Sequence, residues 1–322
     1  MTEKVTSVAR QLVSDLIAAE RDSLAWSDID LSNRLVKTAL DRCLSDLTAT
    51  GIWGSGNRLL SGTFWEIAGD WLGQGQLMRQ ARVKPRGYAG DYLMLASICE
   101  NWRCEHPLGR ALDDYFQNHA APQAVRNRTE LVAAKLVNDV AESTASEFHV
   151  VSWGSGPAID LERAVASMSV DDRQRLRVVL LDLDPDALAA ATKRLLPYLA
   201  AEQIAAKREN LFRLPQRRSK FIDWPVEFIC CTGFFDYLDE ASASTLLRCL
   251  WNSLADTGRL IVFNFAPHHP SQALMEWIGN WYLVYRDTEQ MQALASAAGI
   301  PSGNFTIGAE TLGIELFIDA RR

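Results

Sequence analysis

The chain has 322 residues, 48% hydrophobic and 23% charged, enough for one large domain or two smaller ones and too apolar to stay disordered. Its formal net charge of -7 argues against a nucleic-acid substrate gripped through its phosphates, which calls for a basic face. No apolar run approaches the ~18 residues of a membrane span, and the cysteines at 43, 99, 104, 230, 231 and 249 show neither a Cys-x-x-Cys pair nor zinc spacing, so free thiols, no metal site and a cytoplasmic location are expected.

Residues 1–145 read as helices. Val5, Val8, Leu12 and Leu16 fall on one face, with Glu3, Lys4, Arg10 and Asp15 between them, so the beginning is amphipathic and unlike a signal peptide. Leu31, Leu35, Ala39 and Leu40 continue the pattern. The glycine-bearing stretch 53–60 reads as a loop, and 64–78 and 92–102 as helices. Pro107 and Pro122 stand where helices would begin, and 126–145 is a long helix leading into the first strand.

From Phe148 the texture changes. Apolar runs at 148–153, 178–182, 204–209, 226–232 and 259–265 alternate with helical patterns at 161–168, 185–199 and 241–254. Asp184 is a good N-cap, and Pro185 suits the first helical position. Strand and helix in repetition predict a parallel sheet covered on both faces. Two more strands, 305–307 and 314–320, close it as a hairpin. The chain therefore divides into a helical part, 1–145, and an α/β part, 146–322. Arg208, Arg213, Arg217, Arg218 and Lys220 form a local basic cluster that reads as a solvated loop.

The most informative stretch is HVVSWGSGPA, 149–158. An apolar strand runs into the turn Gly154-Ser155-Gly156 and then into a helix, the cradle of an adenosine-bearing cofactor, where absent Cβ atoms let the backbone approach the ligand. The next apolar run ends in Asp182, close to the spacing at which an acid meets ribose hydroxyls.

This pattern resembles the class I S-adenosylmethionine (SAM)-dependent methyltransferases. The turn holds two glycines followed by Pro157-Ala158, unlike the fuller dinucleotide fingerprint. FICCTG (228–233) ends the fourth strand where these enzymes place residues beside the methyl donor, and SLADTGRL (253–260) resembles their approach to the fifth strand. A narrower likeness spans both halves: KPRGYAGDY (84–92), AVRNR (124–128), GFFDYL (233–238), Asn264-Phe265, MEW (275–277) and WYLVYR (281–286) resemble signatures of the bacterial extracellular-factor 3-hydroxypalmitic acid methyl ester biosynthesis family.

The resemblance implies a Rossmann-like, mostly parallel seven-stranded sheet with a helical N-terminal lid over the substrate. It implies SAM as cofactor, with Gly154, Ser155 and Gly156 at its methionine and ribose parts, Asp182 on the ribose, and Leu183 on the adenine. Asn210 and Leu211 would lie near the adenine edge, and Thr232 near the methyl donor. Many relatives carry an acid two residues before the first glycine, where this chain has Ser152. Asp91 is therefore expected to supply that charge, while Arg86 or Arg126 meets the cofactor carboxylate. Tyr88, Asp91, Tyr237 and Asn264 are the expected catalytic residues. His268-His269 reads as an exposed pair.

The expected activity is methyl transfer from SAM to an oxygen or nitrogen of a small molecule, acyl or amino-acid derived. A carboxylate acceptor needs almost no general base, and none is evident. The alternative is cyclisation of SAM itself to azetidine-2-carboxylate and methylthioadenosine, which Ser152 would favour by holding the amine less firmly as ammonium. A non-catalytic SAM-binding protein is the third reading.

Overall fold

The computed structural model describes residues 1–26, 29–213 and 224–322. Arg217, Arg218 and Lys220 of the basic cluster lie outside the described residues. The chain forms two units, one of residues 1–123 with 268–282, the other of residues 124–267 with 283–322.

The first unit is helical: α1 (Thr2–Trp26), α2 (Ile29–Thr48), α3 (Arg58–Leu72), α4 (Gln76–Val83), α5 (Tyr92–Cys99), α6 (Pro107–Gln117) and the start of α7 (Ala120–Glu142). In α1 the buried face is Val5, Ala9, Leu12, Leu16 and Ala19, with Val8 at its margin. In α2 it runs through Val36, Ala39, Leu40, Cys43 and Leu47, one step round from Leu35. Two expectations are corrected. The 53–60 stretch is a 3-10 turn, Gly54–Asn57, that runs directly into α3. The expected helix 64–78 breaks at Gly73 and Gly75, where a Cβ would sit 2.7 Å from Gly69 O and 2.8 Å from Leu112 Cβ respectively. Pro122 falls in the first turn of α7, whose N–H groups have no helical acceptor in any case. The segment 268–282 carries a π turn, Leu274–Ile278, that no periodicity announced. Buried Ser61 donates to the Trp277 carbonyl at 2.9 Å, and Glu276 accepts from Gly54 N at 2.7 Å.

The second unit is built on β1 (Phe148–Trp153), β2 (Leu176–Asp182), β3 (Ile204–Arg208), β4 (Val226–Cys231), β5 (Leu254–Phe265), β6 (Phe305–Ala309) and β7 (Glu315–Arg321). Between them run α8 (Ile159–Ser167), α9 (Val170–Arg175), α10 (Pro185–Leu195), α11 (Glu240–Asn252) and α12 (Thr288–Ala297). The order is β3-β2-β1-β4-β5-β7-β6, with β7 antiparallel to both neighbours. This is the expected class I methyltransferase fold.

Period-two alternation sends Val151, Trp153, Val179, Leu181, Ile229 and Val262 to one face with α11 and α12. The other face carries Val150, Val178, Leu180, Phe228 and Phe263. There Val132, Leu136 and Val140 of α7 pack with Phe148 and Val150. That packing is why the units divide after Gln123 and not at the expected 145: α7 covers the sheet. β5 begins earlier than expected, at Leu254, and a bulge lets Val226 pair with Leu254 while Phe228 pairs with Arg259.

Gly308 gives a stability prediction. A Cβ there would lie 2.3 Å from Phe317 Cζ, and Phe317 already packs on Phe263 at 5.3 Å between centroids. Gly308→Ala is expected to cost about 1–3 kcal/mol, read as a lower thermal midpoint. Adding Phe317→Leu should restore part of it; a single variant as stable as wild type would refute the clash.

Candidate functional site

The strand order reverses between β1 and β4, and in open α/β sheets the ligand crevice forms at the carboxyl ends beside such a reversal. The chain places its glycine turn there. Gly154 has φ 69° and Gly156 φ 49°, the left-handed region that favours glycine, and Ala158 follows at 51°. The amides of Gly154 and Ser155 both donate to Leu181 O, at 2.9 and 3.0 Å, folding the turn back onto the end of β2.

Asp182 closes the same turn. Its Oδ2 accepts from Gly156 N at 2.9 Å and its Oδ1 from Asp184 N at 3.0 Å. The residue is 8% exposed, and burial pushes its carboxyl above the usual range; the bonds from Asp184 and Gly156 offset part of that. The acid is thus held beside the turn by backbone N–H groups.

Leu211 and Phe234 stand against the turn. A Cβ on Gly154 would lie 3.5 Å from Leu211 Cδ1 and 3.7 Å from Phe234 Cβ, so the loops after β1, β3 and β4 meet around the space that glycine leaves. Phe212 packs edge-on against Phe234, 4.7 Å between centroids, and is 53% exposed. Leu183, after β2, is 52% exposed. Two large apolar side chains therefore stay in solvent contact around a polar turn. Asn210 shapes this rim, its Oδ1 accepting from Phe212 N at 3.1 Å. Arg208 Nε donates to Leu183 O at 3.1 Å.

Two hydroxyls in the turn differ. Buried Ser152 is hydrogen-bonded to the Cys230 thiol, so no carboxylate occupies that position. Ser155 is 6% exposed, and its Oγ has no partner among the described residues. A dry, unpaired hydroxyl costs free energy unless a ligand meets it.

The expected catalytic residues divide. Thr232 and Tyr237 are half-buried after β4. Asn264 is fully buried: its Nδ2 donates to Val284 O at 2.7 Å and to Phe265 O at 3.1 Å, and its Oδ1 accepts from Arg286. Arg286 in turn donates to Phe235 O and Leu238 O. Asn264 is a brace of the β4 loop with no face toward solvent, which corrects its expected direct role. Asp236 lies in this brace, its Oδ1 accepting from Phe265 N at 2.8 Å, and burial pushes its carboxyl up to about 6.

Asp91, in the helical unit, is the N-cap of α5. Oδ1 accepts from Met94 N at 2.9 Å and Oδ2 from Gln80 Nε2 at 2.7 Å, and the side chain is fully buried. Capping, in place of the expected free charge, is the duty shown for this carboxylate. Arg86 lies 5.0 Å from the Tyr92 ring centroid, and Tyr88 is 37% exposed. Arg126 is half-buried on α7 in the sheet unit. The expected exposed histidine pair is corrected in part: His269 is buried, and burial together with His119 pushes its ring down to about 4.

Sequence reasoning passed over Phe212, which directly follows Asn210-Leu211, and gave Phe234 no specific place. An aromatic two residues past an Asn that closely follows a strand was the available signal. No helix among the described residues is long and apolar enough to cross a membrane.

No protein-family model matches the chain, and no curated protein is similar to it. Solved structures are. A possible exported protein from Bordetella parapertussis aligns with 77% of this chain and 95% of its own, at 17% identity and TM-score 0.55. The SAM-dependent methyltransferase SibL aligns over 98% and 96% at 16% identity and TM-score 0.47. Magnesium protoporphyrin IX methyltransferase from Synechocystis with bound SAH aligns over 63% and 87% at 14% identity and TM-score 0.46. At these identities the likeness is one of fold.

Proposed function

We propose that the chain is a SAM-dependent methyltransferase acting on a small molecule. The observation that carries this reading is the Gly154–Gly156 turn closed by the Asp182 carboxylate, with the unpaired Ser155 hydroxyl inside it. Asp182, acceptor-only when ionised, suits the two ribose hydroxyls. Leu183 and Phe212 suit the faces of the adenine, with Asn210 and Leu211 at its edge. The Ser155 hydroxyl and the amides of the turn suit the methionine part, and Thr232 and Phe234 stand on the β4 side of it. Phe234 presents an aromatic ring, which attracts a sulfonium as it does an ammonium.

Bound SAM supplies an activated methyl group. What these residues contribute is alignment and exclusion of water around it. Asp236 is buried and bound to Phe265 N, and His269 is buried in the helical unit, so neither is offered as a general base. A small-molecule carboxylate or hydroxyl is the acceptor class, a carboxylate needing no base. The 3-hydroxypalmitic acid methyl ester family supplies the first acceptor to try.

Titration calorimetry with SAM, followed by mass spectrometry of turnover mixtures containing 3-hydroxypalmitate, tests the proposal. S-adenosylhomocysteine formed with a methylated acceptor supports it. Methylthioadenosine in SAM alone would move the reading to cyclisation, and no SAM uptake would end it. Ser155→Ala should leave the thermal midpoint within about 1 °C or raise it, because an unpaired buried hydroxyl is removed, yet weaken SAM about 3–10-fold. Equal SAM affinity in the variant would take Ser155 out of the site.

A further inference from the structure

Three cations gather in the helical unit without a carboxylate to balance them. Arg58 opens α3, and its guanidinium carbon stands 4.6 Å from the Tyr282 ring centroid. Arg82, near the end of α4, donates to Ser61 Oγ at 2.6 Å and Ser61 O at 3.0 Å, with its guanidinium carbon 5.2 Å from the Trp65 ring centroid. Lys84 caps α4 in the left-handed conformation, φ 51°, and its Nζ donates to Asn280 O at 2.6 Å.

None of the three makes an ion pair among the described residues. Arg58 and Arg82 both act on Lys84 instead. The Lys84 ammonium is pushed down by burial first and then by Arg58 and Arg82, with no acid offsetting them. Arg82 is likewise pushed down by burial, with Tyr282 acting against that. Glu276, the acid that acts on Tyr282, already accepts from Gly54 N, Asn57 Nδ2 and Gln272 Nε2. Folding has therefore brought like charges into mutual reach, with Arg82 and Lys84 half-buried, and with Arg82 and the exposed Arg58 set on aromatic rings. Such an arrangement costs free energy that a bound anion would recover.

We propose that Arg58, Arg82 and Lys84 form an anion site that takes a phosphate or phosphate monoester. A carboxylate would cancel one charge of the three, whereas a phosphate monoester carries about -1.5 to -2 at pH 7 and three acceptor oxygens. Two guanidinium forks and one ammonium are donors of the right kind for it. Leu59 and Val83, each next in sequence to one of the arginines, are 87% and 61% exposed, an apolar margin suited to a stem on the ester. The site is independent of methyl transfer.

Calorimetric titration of the full chain with inorganic phosphate, octyl phosphate and octanoate tests it. Both phosphates are expected to bind, with octanoate about 10-fold weaker than octyl phosphate. Octyl phosphate tighter than the free ion supports a stem-bearing ester, and equal affinities support the free ion. Arg58→Gln and Lys84→Asn, the latter tolerant of the left-handed backbone, should each lower phosphate affinity about 5–10-fold while leaving SAM affinity unchanged and the ligand-free thermal midpoint unchanged or raised, since a like charge is removed. No phosphate binding at about 1 mM, unaltered binding in both variants, or octanoate binding as tightly as octyl phosphate would overturn the proposal.

Discussion

Asp182→Asn is expected to weaken SAM binding about 100-fold while leaving the fold nearly as stable as before. The size follows from two charge-assisted hydrogen bonds to the ribose at ~1.5 kcal/mol each, ~3 kcal/mol together. The asparagine keeps one acceptor oxygen, but its NH2 must face the N–H of either Gly156 or Asp184, since the carboxylate serves both now. Stability moves little because two effects oppose. The variant loses one of these backbone bonds but no longer buries a charge, and burial is the largest influence on this carboxyl.

The same group gives a pH dependence. The folded carboxyl titrates above its ordinary 3.8, so between that value and the raised one the folded chain holds a proton that the unfolded chain has released. Through that window the contribution of Asp182 to stability declines as pH rises. Under the proposed assignment ligand affinity runs the opposite way: protonation below the raised value would remove the acceptor for the ribose, so wild-type SAM binding should fall on mild acidification while the asparagine variant stays flat. Calorimetry across a pH series checks both. Equal affinity for the two proteins at neutral pH would sink the assignment.

The sheet was legible because its signals are local and repeated. Both faces are covered, so strands appear as apolar runs, and Asp184-Pro185 punctuates β2 and α10. The glycine turn and Asp182 were legible for a related reason: positive φ and an acid at the strand end leave residue-type traces. What escaped was tertiary. Asn264 sits at the end of a strand where ligand contacts are common, and nothing local says that Arg286, 22 residues on, will claim its side chain. Asp91 stands among glycines like a site residue, yet the same position is a helix N-cap, and Gln80 takes its second oxygen. The helix α7 was legible, but its place over the sheet was not. A helix read from its own periodicity does not reveal which layer it covers.

Arg128→Met is expected to be the most destabilising single change in the sheet unit, with a loss that grows with pH. Arg128 Nη1 donates to both oxygens of Glu315, at 2.9 and 3.1 Å, and the two side chains are 6% and 0% exposed. The guanidinium also acts favourably on Asp160 and Asp236, and a Cβ on Gly233 would lie 3.3 Å from its Nη2. One cation on α7 thus serves acids from α8, the β4 loop and β7. Where Glu315 is ionised, removing one partner of the buried pair leaves the other uncompensated, a cost of about 3–5 kcal/mol, or roughly 6–20 °C in thermal midpoint for a unit of this size. Burial pushes the Glu315 carboxyl from 4.5 up to about 8 even with Arg128 opposing it. Over that range the folded chain keeps a proton that the unfolded chain lacks, so stability from this group declines as pH rises. Without the guanidinium the carboxyl titrates higher still and the decline extends further, so the two proteins should lose stability in parallel from about pH 5.5 to about pH 8 and the gap should widen from there through about pH 9. Glu315→Gln, neutral and of the same shape, should flatten the wild-type pH dependence, and pairing it with Arg128→Met should recover part of the loss. Melting curves for the four proteins at about pH 5.5 and about pH 9 decide the matter: a gap between wild type and Arg128→Met no wider at the higher pH, or a loss below about 1 kcal/mol there, would mean that Arg128 does not hold these acids together.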